Sequence, residues 1–255
     1  MKISVITASF NSEATIGATI ASFLEQTHPD KEMLVIDGVS RDSTLRIVES
    51  FGSSAIRVIS ELDNGIYDAM NKGLHQFTGD AIGFLNSDDT FHDSTAMAAI
   101  AVALENSDIV YGDLDMVTDH RTKTLVRVWR GGQFHPCAFQ LGWVPPHPTF
   151  YIRREVAEKV GDYDTSHVTT ADYDYMLRAM ALNDFRIKYL SRVLADFQMG
   201  GISTSSWRLT LRANLECLRS RREHLNAPLI DAAFFLRFIR RIFQLRPRPF
   251  SSTRD

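Results

Sequence analysis

Short, almost wholly apolar runs rich in β-branched residues alternate, over the first ninety positions, with segments whose apolar residues recur every three or four places. Residues 2–8 (KISVITA), 32–37 (EMLVID) and 81–85 read as buried strands, and 56–60 as a further strand. Between them, Ile16, Ile20, Phe23 and Leu24 share one helical stripe. Residues 42–51 read as a helix capped by Asp42 or Ser43, and 67–77 as a third helix. Such alternation predicts an α/β fold: a mainly parallel, doubly wound sheet with helices on both faces. Beyond Asp89 the rhythm fades. The pattern predicts a helix over 94–104 and strands over 109–111 and 123–129. A loop rich in Gly, Pro and aromatics follows at 131–148, then a helix over 172–182 and a pair of strands over 186–190 and 193–199. Two helices close the chain, at 207–225 and 229–245, separated by Pro228.

Length and composition narrow this picture. A chain of 255 residues, 44% apolar and 23% charged, suits one large α/β domain with a C-terminal appendage. Cys137 and Cys217 are too few for a disulfide framework or a four-thiolate zinc site, and read as buried apolar residues in a reducing compartment. No run of about 18 uncharged apolar residues occurs, which excludes a spanning helix. The opening MKISVITASFNS lacks the apolar core of a signal peptide, so none is expected. The net charge of −3 conceals a segregation. From Ser205 onward eleven arginines face four acids, for +7, while the preceding residues carry 17 basic and 27 acidic groups, for −10. That split predicts an acidic body with a basic tail suited to an anionic surface.

Polar groups follow the early strands at 9–11, 37–40, 61–63 and 86–89, and in open α/β sheets the carboxyl ends of strands line the ligand crevice. The LNSDD segment places Asp88 and Asp89 side by side. Adjacent carboxylates resist ionisation unless a cation lies nearby, and Mg²⁺ or Mn²⁺ takes such oxygen ligands together with substrate phosphates. A solvated turn would explain the pair alone; its place after a buried strand favours the cation. Asp37 is either a turn residue before Gly38 or an acceptor for a base or ribose hydroxyl. Asp63, Asp68 and Lys72 either face a nucleotide, with Lys72 near phosphate, or form an ordinary i,i+4 surface contact. Asp172 opens a helix, as an N-terminal cap or as an ionised general base for a hydroxyl nucleophile. His147, held between prolines in PPHPTF, is an acceptor-loop candidate set against a hydrogen-bonded structural role. The Gly-rich phosphate loops, zinc-type histidine spacing and the G-x-S-x-G elbow do not occur.

Taken in order, SVITASFNSEATI, VIDGVSRDST, SELDNGIYDAMNKGL, GDAIGFLNSDD, PPHPTFYIRRE, ADYDYMLR and FQMGGIS resemble the family 2 glycosyltransferases of GT-A fold, in the branch that builds bacterial polysaccharides on lipid-linked acceptors. The resemblance covers residues 1–204. It implies a nucleotide-sugar half over about 1–112 and an acceptor half over about 113–204. It implies that Asp37 contacts the nucleotide base with Thr7, Ala8 and Ser9 in the loop beside it; Asp63, Asp68, Lys72 and Asp88 are the further candidates for binding the donor. Asp88 and Asp89 match the metal–diphosphate motif, with Asp89 the direct ligand to Mg²⁺ or Mn²⁺. Asp172 matches the catalytic base, although Ala171 replaces the Glu that precedes it in the family. Gly201 and Ser203, in GGIS, match a segment near the diphosphate. The Q-x-x-R-W signature of processive synthases is missing, which implies transfer of one sugar with inversion from a nucleotide-diphospho-sugar to a lipid-linked saccharide.

In the last helix Arg237, Arg240 and Arg241 share one face, while Phe235, Phe238, Ile239, Ile242 and Phe243 share the other. This is the pattern of an interfacial helix, which predicts a cytoplasmic enzyme peripheral to the inner face of the membrane. The competing explanation is a helix packed on protein with solvated arginines. Nucleic acid is not expected as a partner, because the aromatics oppose the arginines and do not interleave with them. Two other functions fit parts of the pattern. A sugar-1-phosphate nucleotidyltransferase would need a Gly-rich basic loop where ASFNSEAT stands. A non-catalytic nucleotide-sugar-binding scaffold would leave Asp37, Asp88, Asp89 and Asp172 without work.

Overall fold

The four predicted strands form the parallel half of one nine-stranded sheet, three of them buried and the edge strand at 56–60 partly exposed, in a computed structural model that describes residues 1–120, 124–199, 207–228, 232–234 and 236. Strands β1 (Ile3–Ser9), β2 (Lys31–Asp37), β3 (Ile56–Ser60) and β4 (Ala81–Phe84) alternate with helices α1 (Ile16–Leu24), α2 (Thr44–Ser50) and α3 (Ile66–Leu74). The chain continues through β5 (Asp89–Phe91), α4 (Ala96–Leu104), β6 (Ile109–Val117), β7 (Leu125–Trp129), β8 (Tyr151–Arg153), α5 (Arg154–Val160), α6 (Ala171–Ala181), β9 (Ile187–Gln198) and α7 (Trp207–Leu225). The strand order is β3-β2-β1-β4-β8-β6-β9-β5, with β7 beside β6. Strands β1 to β4 are mutually parallel where they pair, β8 runs against both β4 and β6, and β9 returns parallel to β6. This is an α/β fold with a mainly parallel mixed sheet and helices on both faces.

Because strand side chains alternate, β1 and β2 supply two cores. Val5, Met33 and Val35 join Ile16, Ile20, Phe23 and Met97 on one face. Ile6, Leu34 and Ile36 join Met70, Tyr163, Tyr175 and Met176 on the other. The pair of strands expected at 186–199 is instead one strand, β9, whose register against β6 shifts between Tyr111 and Leu114. That irregularity lets the backbone bend without breaking the ladder, so an apparent gap at Ser191 and Arg192 lies inside it. Strand β6 also runs six residues beyond the expected end at Tyr111, to Val117, because Asp113 and Asp115 are buried within it. Cys217 is buried, as expected, but Cys137 is exposed, on the loop before a 3₁₀ turn at Phe139–Leu141. Among the described residues no helix is long and apolar enough to cross a membrane. The arginine-rich face at 237–241 lies outside the described residues, as do Gly201 and Ser203.

Candidate active site

The ends of β1, β2 and β4 lie side by side, so the polar residues that follow them meet. Register pairs Ser9 with Asp37, and the Gly38 N–H donates to the Ser9 carbonyl at 2.9 Å. Asp37 is fully buried. It accepts from the Ser40 N–H at 2.9 Å and the Ser60 hydroxyl at 2.8 Å, and also from the Ser40 hydroxyl. Its carboxylate therefore shapes the 38–40 loop from within. Asp63 comes against that loop, since a Cβ on Gly38 would meet Asp63 Oδ2 at 2.5 Å. The loop from β4 joins the same cluster through Ser12 and Ser87, whose hydroxyls are 2.8 Å apart. Thr7, Ala8 and Ser9 are buried here, and the Thr7 and Ser9 hydroxyls have no hydrogen-bond partner. Lys72 lies 3.3 Å from Glu61 and 3.9 Å from Asp68 and donates to the Leu62 carbonyl. Asp68 accepts from the Asn64 N–H at 2.9 Å. These residues tie the 61–65 turn to α3, beside the Asp37 loop.

Asp89 is completely buried at the start of β5, and neither carboxylate oxygen meets a donor in hydrogen-bond geometry, although the Asn86 side chain and the Gln198 backbone lie near enough to favour its charged form. Burial, reinforced by the charge of Asp88, pushes its carboxyl well above the usual carboxylate range. Burial also raises that of half-buried Asp88. Two adjacent acids whose carboxyls burial pushes up, one of them with both oxygens unpartnered, offer the kind of oxygen ligands that a hard divalent cation takes. His120, beyond β6, steadies this turn: its Nε2 lies 2.7 Å from the Asp88 carbonyl and its Nδ1 3.2 Å from the Thr90 hydroxyl. On the opposite face of the β5–β9 ladder, one register step away, His92, Asp115 and Asp196 bring ligand-type atoms within 4.8 Å of one another.

Asp172 sits in the first turn of α6, half-buried, and accepts from the Tyr67 hydroxyl at 3.2 Å. Burial and then the Asp172 charge hold the Tyr67 hydroxyl firmly protonated, so it remains a donor. The Tyr67 ring stacks on Tyr163 at 5.9 Å, and Tyr163 on Tyr175 at 4.2 Å. His147 is buried, with Nε2 3.0 Å from the Tyr163 hydroxyl and its ring stacked on Phe84 at 5.4 Å. Burial lowers its pKa, opposed by the Asp172 carboxylate. The hydrogen-bonded role weighed for His147 is thus present, and the same ring joins Tyr163, which stacks on Tyr67, to Phe84 at the end of β4, just before the Asp88–Asp89 turn. Asp174, by contrast, is consumed by Arg178 Nε at 2.8 Å and His224 Nε2 at 3.1 Å. Ala171 is fully buried in the core, where no water could solvate a carboxylate. Tyr67 and Tyr163 were not singled out by the sequence. The only local signal was the position of Tyr67 inside the polar DNGIYDAMNKG segment.

The 131–148 loop is pinned rather than free. Asp113, buried in β6, accepts from the Gly131 N–H at 2.9 Å and the Tyr189 hydroxyl at 2.6 Å and pairs with Arg130. The Tyr111 hydroxyl donates to the Gly132 carbonyl at 2.6 Å.

Residues 4–167 match the description of glycosyl transferase family 2. Over 210 residues the chain is 30% identical to a PGL/p-HBAD biosynthesis glycosyltransferase of Mycobacterium tuberculosis, covering 79% of each chain. Over 120 residues, 46% of this chain and 47% of the relative, it is 34% identical to the Escherichia coli UDP-Glc:alpha-D-GlcNAc-diphosphoundecaprenol beta-1,3-glucosyltransferase WfgD. The fold superposes on Staphylococcus aureus TarS 1–349 with a TM-score of 0.67 at 22% identity, covering 100% of this chain and 76% of that one. It matches the mannosyltransferase PcManGT from Pyrobaculum calidifontis, solved with GDP-Man and Mn²⁺, with a TM-score of 0.66 at 16% identity over 95% and 69% of the two chains. The buried acid pair, the ordered strand-end loops and these similarities converge on one assignment: the chain belongs to glycosyl transferase family 2 and is a nucleotide-sugar-dependent glycosyltransferase of GT-A fold.

Proposed function

We propose that this enzyme transfers one sugar, with inversion, from a nucleotide-diphospho-sugar to a hydroxyl of a lipid-linked saccharide in polysaccharide or glycolipid biosynthesis. The observation that carries the donor half is the set of buried, unpartnered oxygens of Thr7, Ser9 and Asp89 at adjoining strand ends. Buried polar groups are normally paired, so unpartnered ones gathered at strand ends that line the crevice are what a bound ligand would satisfy. In this reading residues 1–112 hold the donor. The Asp37 loop and Thr7–Ser9 cradle the nucleotide, with Asp63, Asp68 and Lys72 alongside. Asp89, assisted by Asp88, would hold Mg²⁺ or Mn²⁺, which when bound supplies positive charge to the departing diphosphate. Gly201 and Ser203 are assigned to the same diphosphate by motif alone.

Residues 113–204 receive the acceptor. Asp172, oriented by Tyr67, takes the proton from the acceptor hydroxyl as that oxygen attacks the anomeric carbon. One in-line displacement inverts the configuration and releases the nucleoside diphosphate. His147, Tyr163 and Phe84 form an aromatic wall that supports Tyr67, the donor to the base. The acceptor class rests on the names of the relatives, of which WfgD carries a diphosphoundecaprenol acceptor in its own. Residues 205–255 are proposed as the basic element that brings the enzyme to the inner face of the cytoplasmic membrane, where such an acceptor resides.

The test is a thermal-shift screen of UDP-, GDP- and dTDP-sugars with and without Mn²⁺. Only a species that binds the folded state raises the melting temperature. A metal-dependent shift for one donor, lost in Asp89→Ala and kept in Asp172→Asn with turnover abolished, supports the assignment. Near-normal turnover in either variant removes that residue's role.

A further inference from the structure

Helix α7 was set apart by charge as an extension, yet it grips both sides of the base. Glu216 Oε2 accepts from the Thr169 N–H at 2.9 Å, the Thr169 hydroxyl at 2.8 Å and the Thr170 hydroxyl at 3.2 Å, and Glu216 Oε1 accepts from the Val168 N–H at 3.2 Å. Beyond Asp172, Arg221 Nη1 donates to the Tyr173 hydroxyl at 3.1 Å and His224 lies 3.1 Å from Asp174. Residues 168–170 and 173–174 are therefore held by α7, while the Asp172 side chain points to Tyr67 on α3.

Thr170 shows what this does to the helix start. It occupies the N-cap position of α6, but its side chain makes no cap bond to the helix; its hydroxyl turns to Glu216. Thr, Ser, Asp and Asn normally fix a helix entry by bonding the exposed N–H groups of the first turn. Here the entry is fixed from outside, by a carboxylate on another helix. Glu216 is itself steadied by Arg212 Nε at 2.9 Å, one turn back on a helix anchored by buried Asn214, Cys217, Ser220 and Arg221. Burial raises the Glu216 carboxyl, but the bonds from Thr169, Arg212 and Val168 outweigh it and leave the group below the usual carboxylate range, so it stays an acceptor.

We propose that Glu216 is a positioning residue for Asp172 and that α7 is thereby part of the catalytic unit. This rests on Asp172 being the base. A first turn released from Glu216 lets Asp172 swing from its line of attack, while the donor loops at the ends of β1, β2 and β4 stay as they are.

The full-length enzyme is tested as Glu216→Gln, Glu216→Ala, Asp172→Asn and, as control, Glu223→Ala, which breaks an exposed pair with Arg219 on the same helix. Nucleoside diphosphate release from UDP-glucose, UDP-N-acetylglucosamine and GDP-mannose with Mn²⁺ gives kcat and donor KM. Amide hydrogen exchange needs no substrate and reports on 168–173 directly. Glu216→Ala is expected to lower kcat at least tenfold with donor KM within about twofold. Glu216→Gln, which keeps one acceptor oxygen, should fall between it and wild type, and Glu223→Ala should match wild type. Exchange should quicken in 168–173 and not in residues 3–9 or 31–37. Combining Glu216→Ala with Asp172→Asn should cost nothing beyond Asp172→Asn alone. Folded Glu216 variants with wild-type kcat, or with unchanged exchange at 168–173, overturn the proposal while leaving Asp172 as base. An active Asp172→Asn overturns both. Should Glu216→Ala fail to fold, the Gln variant decides by the same two readouts.

Discussion

Replacing Asp89 by Asn should make the metal-free protein more stable while abolishing its activity, and the gain should grow with pH. In the unfolded chain the carboxyl ionises at its ordinary value of 3.8, whereas in the folded protein burial and Asp88 hold it well above that value. Between the unfolded and the folded pKa, folding therefore takes up a proton. A group whose folded pKa is raised loses its contribution as pH climbs above the unfolded value. The cost is about 1.4 kcal/mol for each pH unit above 3.8, hence at most about 4 kcal/mol at pH 7 and about 1.6 at pH 5. Asn keeps the shape and takes up no proton, but burying its NH₂ costs about 1–3 kcal/mol wherever the amide goes unpaired. The net gain is therefore at most about 3 kcal/mol at pH 7 and falls to nothing or reverses near pH 5. Urea unfolding of both proteins in EDTA, from pH 5 to pH 8, reads this as a widening gap in midpoint at constant m-value. Adding Mn²⁺ with the donor should stabilise only the wild type. A gap that does not change with pH would mean that Asp89 is ionised in the folded state, and the argument from its burial would fall.

Asp37→Asn exchanges one acceptor oxygen for a donor, which faces either the Ser40 N–H together with the Ser60 hydroxyl or the Ser40 hydroxyl, and should raise donor KM at least tenfold with a smaller effect on kcat; steady-state kinetics decide. Gly83 lies opposite Tyr151 across the β4–β8 ladder, and an added Cβ would come within 2.2 Å of the ring. Gly83→Ala should therefore cost about 1–3 kcal/mol by overpacking, and an unchanged urea midpoint would refute that packing. For Glu32, burial pushes the carboxyl up, but bonds from Lys2, Ser4 and Thr78 bring it down to about 2 from an ordinary 4.5. Its contribution is present above pH 4.5 and lost as pH falls towards about 2. Glu32→Gln should flatten the acid limb of stability in that window and leave neutral-pH activity unchanged.

The α/β alternation and most element ends in the first half were legible in the sequence, because an apolar β-branched run specifies a buried strand without reference to anything distant. The acid pair after β4 and the acid opening α6 were legible too, as residue types at strand and helix ends. Family-like motifs then gave those acids expected roles. What local pattern could not carry was pairing. The three-residue strands β5 and β8 exist only because β9, and β4 with β6, lie beside them. Ser191 and Arg192 look like a break until β6 runs alongside. Asp89 reads as one of two equivalent turn carboxylates, and only the packing around β5 buries it and leaves its oxygens unpartnered. Charge alone set α7 apart as a basic tail, whereas its buried side supports the turn that carries Asp172. Hydrophobic periodicity records which face of each element turns inward, a local property of the chain. The Tyr67–Asp172 and Glu216–Thr169 contacts join residues 105 and 47 positions apart, and such contacts are settled only when helices choose their neighbours in the packed core.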